Sequence, residues 1–177
     1  DTIRVYRDAL SLLIRIVESE WDTGLGELYA KSTLKAQRTV ELLVHASRTS
    51  VAKYPEFDKQ FYKYPSYLRR STIAEALGAV SSYRAAVSHW ESAGRKGKET
   101  RLQTSRSAMP PFYKDNMYED NGDGTALLKL YHKKDWVWVK VLLRKQDTDY
   151  IREHWGEVSG SAPKLVKRNR RYALCFA

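Results

Sequence analysis

The sequence Pro65-Ser66-Tyr67-Leu68-Arg69-Arg70-Ser71-Thr72-Ile73, running on to His89-Trp90, decides how the first half of this chain folds. Apolar side chains at Ile73, Ala76, Leu77, Val80, Val87 and Trp90 recur at helical spacing and give one buriable face. Thr72 followed by Glu75 fits a capping box, and Pro65 suits the first turn of a helix. The spacing predicts a long amphipathic helix starting between residues 65 and 72. Arg69 and Arg70 make its start basic, and Tyr83 and Arg84 lie near its middle. Ala93-Gly94-Arg95-Lys96-Gly97-Lys98 ends it with a glycine stop and a cationic arm.

Upstream, Ile3, Tyr6, Leu10, Leu13, Ile14 and Val17 form one helical stripe, and Val5, Ala9, Leu12 and Ile16 form a second. A helix apolar on two sides is sandwiched between neighbours. Asp22-Thr23-Gly24-Leu25-Gly26 breaks it. A further helix is expected from a cap at Ser32 to about Ser47, burying Ala36, Val40, Leu43 and Val44. Tyr54-Pro55-Glu56-Phe57 opens a short aromatic helix or loop. The first half reads as a bundle of three or four helices.

Downstream of Gly94 the character changes. Residues 95–106 are polar, basic and aperiodic, as in a linker. Met109-Pro110-Pro111-Phe112-Tyr113 is extended by its prolines. Asn121-Gly122-Asp123-Gly124 is a turn, followed by strands over residues 126–132 and 136–143 joined through His132-Lys133-Lys134-Asp135. In the second strand Trp136, Trp138, Lys140 and Leu142 share one face, and Val137, Val139, Val141 and Leu143 the other. A short helix over residues 147–155, a loop and a second hairpin turning near Asn169 complete the chain. The expected class is α+β. A helical bundle over residues 1–94 is followed by a linker over 95–124 and a small antiparallel, barrel-like sheet over 125–177.

Composition narrows the partners. The 177 residues carry 31 Lys plus Arg against 21 Asp plus Glu, a net charge of +10, which suits a polyanion. Aromatic residues make up 12% and could stack on bases or fill a core. The single cysteine, Cys175, excludes an internal disulfide and fits a reducing, cytoplasmic setting; its apolar surroundings read as core. No apolar run is long enough to cross a bilayer. The four histidines are scattered and lack zinc spacing, and residues 119–124 resemble the start of a calcium loop only faintly, because Leu130 stands where the closing Glu is needed. Phosphate-loop and nucleophile motifs are absent, and the acids sit beside Lys and Arg like surface pairs.

What remains is basic residues interleaved with aromatics. Arg69 with Arg70, the arm carrying Lys96, Lys98 and Arg101, Lys133 with Lys134, and the tip formed by Lys167, Arg168, Arg170 and Arg171 are four such clusters. Tyr67, Tyr83, Tyr113, Trp136 and Tyr172 lie near them in sequence. Cations would neutralise phosphates and rings would stack on unpaired bases. Each cluster taken alone also reads as a solvated charged face.

Several stretches resemble the TnpB (OrfB-type) transposon proteins, relatives of the type V CRISPR effector nucleases. They are Tyr64-Pro65-Ser66-Tyr67-Leu68-Arg69-Arg70 through Ser82-Tyr83-Arg84 and Trp90-Glu91, and Pro110-Pro111-Phe112-Tyr113-Lys114-Asp115-Asn116-Met117-Tyr118. Trp138-Val139-Lys140-Val141, Ser161-Ala162-Pro163-Lys164-Leu165-Val166-Lys167 and Tyr172-Ala173-Leu174-Cys175-Phe176 complete the set. The resemblance implies a helical recognition (REC) domain inserted in a wedge (WED) β-barrel that together grip guide RNA and target DNA. It places Arg69, Arg70, Tyr83 and Arg84 on the nucleic-acid side of REC, and Lys164, Lys167, Arg168 and Arg171 on the wedge. It further implies a magnesium-dependent RuvC-like nuclease domain, often with a zinc ribbon, beyond this stretch. The chain is then expected to be a non-catalytic piece of a longer protein, lacking the barrel strand ahead of its first helix and holding neither Mg2+ nor Zn2+ itself. A helical protein-interaction or dimerisation module, and an enzyme complete in this chain, are the rival readings.

Overall fold

The computed structural model describes residues 1–102, 107–155, 162–169 and 171–176. The architecture is α+β, with helices through the N-terminal half and small antiparallel sheets after them. Two compact units form, each discontinuous in sequence. A helical unit takes residues 6–62 and 69–108, and a sheet unit takes Asp1–Val5, Lys63–Leu68 and Met109–Ala177.

In the helical unit, α1 (Thr2–Glu20) buries both predicted stripes from Tyr6 onward, with Tyr6, Ala9, Leu13 and Val17 wholly enclosed and Leu12 and Ile16 nearly so, while Ile3 and Val5 are half-buried. A 3-10 turn, Trp21–Thr23, leads into α2 (Leu25–Lys31), a helix the sequence pattern does not announce. Its signal is masked by Gly24 and Gly26, which read as a break. Gly26 is there for space: a Cβ at this position would lie 2.7 Å from Trp21 Nε1. Helix α3 (Thr33–Val44) starts where expected, with the Ser32 hydroxyl accepting the Lys35 backbone N–H at 3.3 Å. It buries Ala36, Val40 and Val44. The short α4 (Glu56–Gln60) encloses Phe57, whose ring centroid lies 5.1 Å from that of Phe61.

The long α5 (Ser66–Ser92) begins one residue after Pro65, nearly two turns ahead of Thr72. The capping-box reading of Thr72 and Glu75 is therefore corrected. Thr72 is buried inside the helix, and the Glu75 carboxylate accepts the Tyr6 hydroxyl at 2.5 Å. The helix ends on Gly94, whose φ of 73° allows its N–H to reach Glu91 O and the Arg95 N–H to reach Trp90 O, both at 2.9 Å. That pair of bonds is a Schellman stop.

In the sheet unit, β1 (Tyr118–Asp120), β2 (Thr125–His132) and β3 (Asp135–Leu142) form a three-stranded antiparallel sheet in that order. The register pairs Trp138 with Lys129 and Val139 with Leu128, so the predicted division of β3 into two faces stands. Side-chain bonds build the β1–β2 turn: Asp120 accepts the Gly122 N–H and Asp123 the Thr125 N–H, each at 2.9 Å. The Thr2 hydroxyl accepts the Tyr131 N–H at 2.9 Å where β1 has already ended.

Helix α6 (Lys145–Trp155) precedes the hairpin of β4 (Lys164–Arg168) and β5 (Arg171–Cys175). The proline-rich stretch is extended as predicted and lines the other edge of β4: the Phe112 N–H reaches Pro163 O at 2.7 Å, and the Leu165 N–H reaches Pro110 O at 3.0 Å. Residues 109–124, expected within a linker, carry the enclosed Phe112 and Met117. Cys175, expected in the core, is instead exposed, on an outer strand that among the described residues pairs only with β4. Most of the loop expected over 156–163 lies outside the described residues.

Candidate nucleic-acid interface

The cations singled out in the sequence divide by what they touch, and the arginines of α5 meet carboxylates. Arg69 is 7% exposed, and its Nη2 and Nε lie 3.0 and 3.3 Å from Glu41 Oε1. Arg70 is exposed and sends Nε to the other oxygen of Glu41 at 3.2 Å. Arg84 bridges Glu18 at 2.9 Å and Asp22 at 3.0 Å. Tyr83 is half-buried beside it in sequence. These arginines tie α5 to α3 and α1. Lys96, Lys98 and Arg101 follow α5 and are exposed.

The same unit holds a buried anionic knot. Glu20, 9% exposed, receives Lys53 Nζ at 2.5 Å and the Tyr54 hydroxyl, and Thr23 Oγ1 lies 3.2 Å away. The hydrogen bonds from Lys53, then Tyr54, hold the Glu20 carboxyl below its ordinary range. Glu20 in turn raises Lys53 above its ordinary value. The lowered carboxyl contributes stability above the unfolded carboxylate pKa of about 4.3 and loses it as pH falls. The raised amine contributes below its own unfolded value and loses it as pH rises past that. Thermal unfolding across pH should therefore show a plateau at neutral pH and an acid limb, and Glu20→Gln should flatten part of that limb. An unchanged limb in the variant would remove Glu20 from the acid transition.

The candidate cations of the sheet unit face water. Lys133 and Lys134 form the two-residue β2–β3 turn, with φ of 46° and 68°. Both are exposed in a left-handed conformation that costs a non-glycine residue about 1–2 kcal/mol. On the second hairpin Lys164, Lys167, Arg168 and Arg171 are exposed. Lys167 Nζ sits 5.5 Å from the Tyr172 ring centroid, and Tyr172 is 60% exposed. Asn169, at φ 46°, suits the turn; Arg170 lies outside the described residues. Among the described residues no carboxylate lies within ion-pair distance of Lys133, Lys134, Lys164, Lys167, Arg168 or Arg171.

The aromatic residues sort in the same way. Trp136 is 9% exposed and packs its ring 5.7 Å from Tyr64 and 5.4 Å from Tyr131. Its neighbour on the same face, Trp138, is 40% exposed, with Lys129 Nζ 5.7 Å from its ring centroid. Sequence reasoning singled out Trp136. Alternation places both rings on one face and does not say where along a strand burial ends. Tyr67 is exposed against Tyr113, centroids 5.8 Å apart.

Among the described residues no cluster of three or more His, Cys, Asp or Glu side chains could hold a metal ion, and no helix is long and apolar enough to cross a membrane. No curated protein and no solved structure matches this chain. A family model does, over residues 1–132 of the 177, a span that takes in every helix up to α5 and the first two strands. By that match the chain belongs to the Aq_aa04 family.

Proposed function

We propose that this chain is the nucleic-acid-binding part of a TnpB-like RNA-guided DNA endonuclease, acting in the cytoplasm on guide RNA and target DNA. In this reading the helical unit corresponds to REC, the sheets belong to a barrel of the wedge type, and cutting belongs to a separate magnesium-dependent nuclease domain. The supporting observation concerns the cations singled out in the sequence. Arg69, Arg70 and Arg84 are held by carboxylates, whereas Lys133, Lys134, Lys164, Lys167, Arg168 and Arg171 are exposed without one among the described residues. An unpaired surface cation costs nothing in water and is available to a phosphate. Base pairing by the guide supplies sequence choice, and the protein reads backbone and A-form shape.

Titration of a structured RNA against the chain at rising salt tests this reading. Affinity should fall steeply, with log Kd changing by about 0.7–0.9 per decade of salt for each phosphate neutralised. A flat response, or no binding at low salt, would overturn the proposal.

A further inference from the structure

Resting on the nucleic-acid reading above, we infer that the outer face of β3 is a subsite for an unpaired nucleotide, with a base on Trp138 and its phosphates between Lys129 and Lys140. The cross-strand register places Lys129 directly opposite Trp138 on one face of the sheet. Lys140 follows Trp138 on that face about 7 Å along the strand, from two residues at ~3.4 Å each. A large ring 40% exposed thus has one lysine across the strand from it and a second two residues along its own strand. Lys129 covers the ring at 5.7 Å, a weak contact that a base replaces as the ammonium turns to its phosphate. The ion pair of Lys140 with Asp123 is 3.9 Å long between two exposed side chains, so Lys140 is little engaged.

Three observations favour this ligand. Over residues 129–145 six cations, Lys129, Lys133, Lys134, Lys140, Arg144 and Lys145, meet one acid, Asp135. That acid is already taken by Lys63 at 3.2 Å and by the Trp136 N–H at 2.9 Å. The local charge repels a second copy of the same hairpin and attracts a polyanion. Secondly, β3 is an outer strand of its sheet among the described residues. The Leu143 N–H bonds Gly124 O at 2.9 Å, and alternation along the strand then turns the backbone N–H groups of Trp138 and Lys140 away from β2. They are donors for a base edge or a phosphate. Thirdly, a ring on an open sheet stacks only on a base whose face is free, so the ligand is single-stranded at this point.

The full chain should be titrated with a fluorescein-labelled U12 and with a blunt RNA hairpin of similar length, at fixed salt. Trp138→Ala is expected to weaken U12 by about tenfold and to change hairpin affinity by less than twofold. Trp138→Phe should keep most of the affinity. Trp138→Leu, which conserves apolar bulk, should behave as alanine does and carries the test if the alanine variant fails to fold by circular dichroism. Equal losses on both RNAs, or no loss on either, would overturn the subsite while leaving the broader reading intact. Binding of neither RNA by the parent chain would overturn both. Dimers in sedimentation that Trp138→Leu dissolves would show that a second chain covers this face, and would also overturn it.

Discussion

Glu41→Ala should destabilise the helical unit by about 3–5 kcal/mol, the cost of leaving one partner of a buried ion pair alone. Glu41 accepts from two arginines, and their surroundings decide which of them matters. The Arg70 side chain is 54% exposed and can turn into water. The Arg69 side chain is 9% exposed, so without Glu41 its guanidinium is left out of water with no carboxylate beside it. A domain of this size has only about 5–15 kcal/mol in total, so the loss should be plain in a urea titration. The double variant Glu41→Leu with Arg69→Met should return to within about 1–2 kcal/mol of the parent, because well-packed apolar groups replace a buried pair at little cost. A single-variant loss under about 1 kcal/mol would mean that water reaches Arg69. Nucleic-acid affinity gives an independent readout. If Arg69 acts within the fold, Arg69→Met paired with Glu41→Leu should bind RNA as the parent does.

The same residue shows how far sequence carries. Helical periodicity placed α1, α3 and α5, and alternation placed β2, β3 and the β4–β5 hairpin, because each buries a stripe or face whose period is written in its apolar residues. Ser32 was legible as a cap because capping is local. The start of α5 fell within the expected range beside Pro65, but its capping box did not hold, since Thr72 and Glu75 match the capping pattern yet serve burial and the Tyr6 hydroxyl, 69 residues away from Glu75. Helix α2 was hidden by glycines that serve the packing of Trp21. The site follows the same rule. Basic clusters were visible in the sequence, but which cations are free depends on carboxylates 28 to 66 residues distant, at Glu41 for Arg69 and Glu18 for Arg84. A one-dimensional pattern holds charge and leaves out pairing.

Pairing also predicts where a polyanion is lost. Reversing charge at the second hairpin, Lys167→Glu with Arg168→Glu and Arg171→Glu, should lower affinity for structured RNA roughly 100-fold near 0.15 M salt. Each phosphate contact carries about 0.7–0.9 of salt slope, so three contacts removed take about 2 log units from the binding constant and about 2–3 from the slope. The fold should survive. All three side chains are exposed, and the hairpin is anchored by the buried Leu165 and Val166 and by the backbone bonds of β4 to Pro110 and Phe112. Added acids opposite the remaining cations would cost little at a surface. The matched reversal in the helical unit, Arg70→Glu, sets a like charge against Glu41 and should instead lower thermal stability while leaving the salt slope nearly unchanged. The two variants thus separate charge that meets a ligand from charge that holds helices together. If the hairpin variant binds RNA with the parent's affinity and slope, the β4–β5 tip lies outside the interface. The cations of the β2–β3 turn, Lys133 and Lys134, would then have to carry the binding, and their reversal would have to produce the loss that the tip did not.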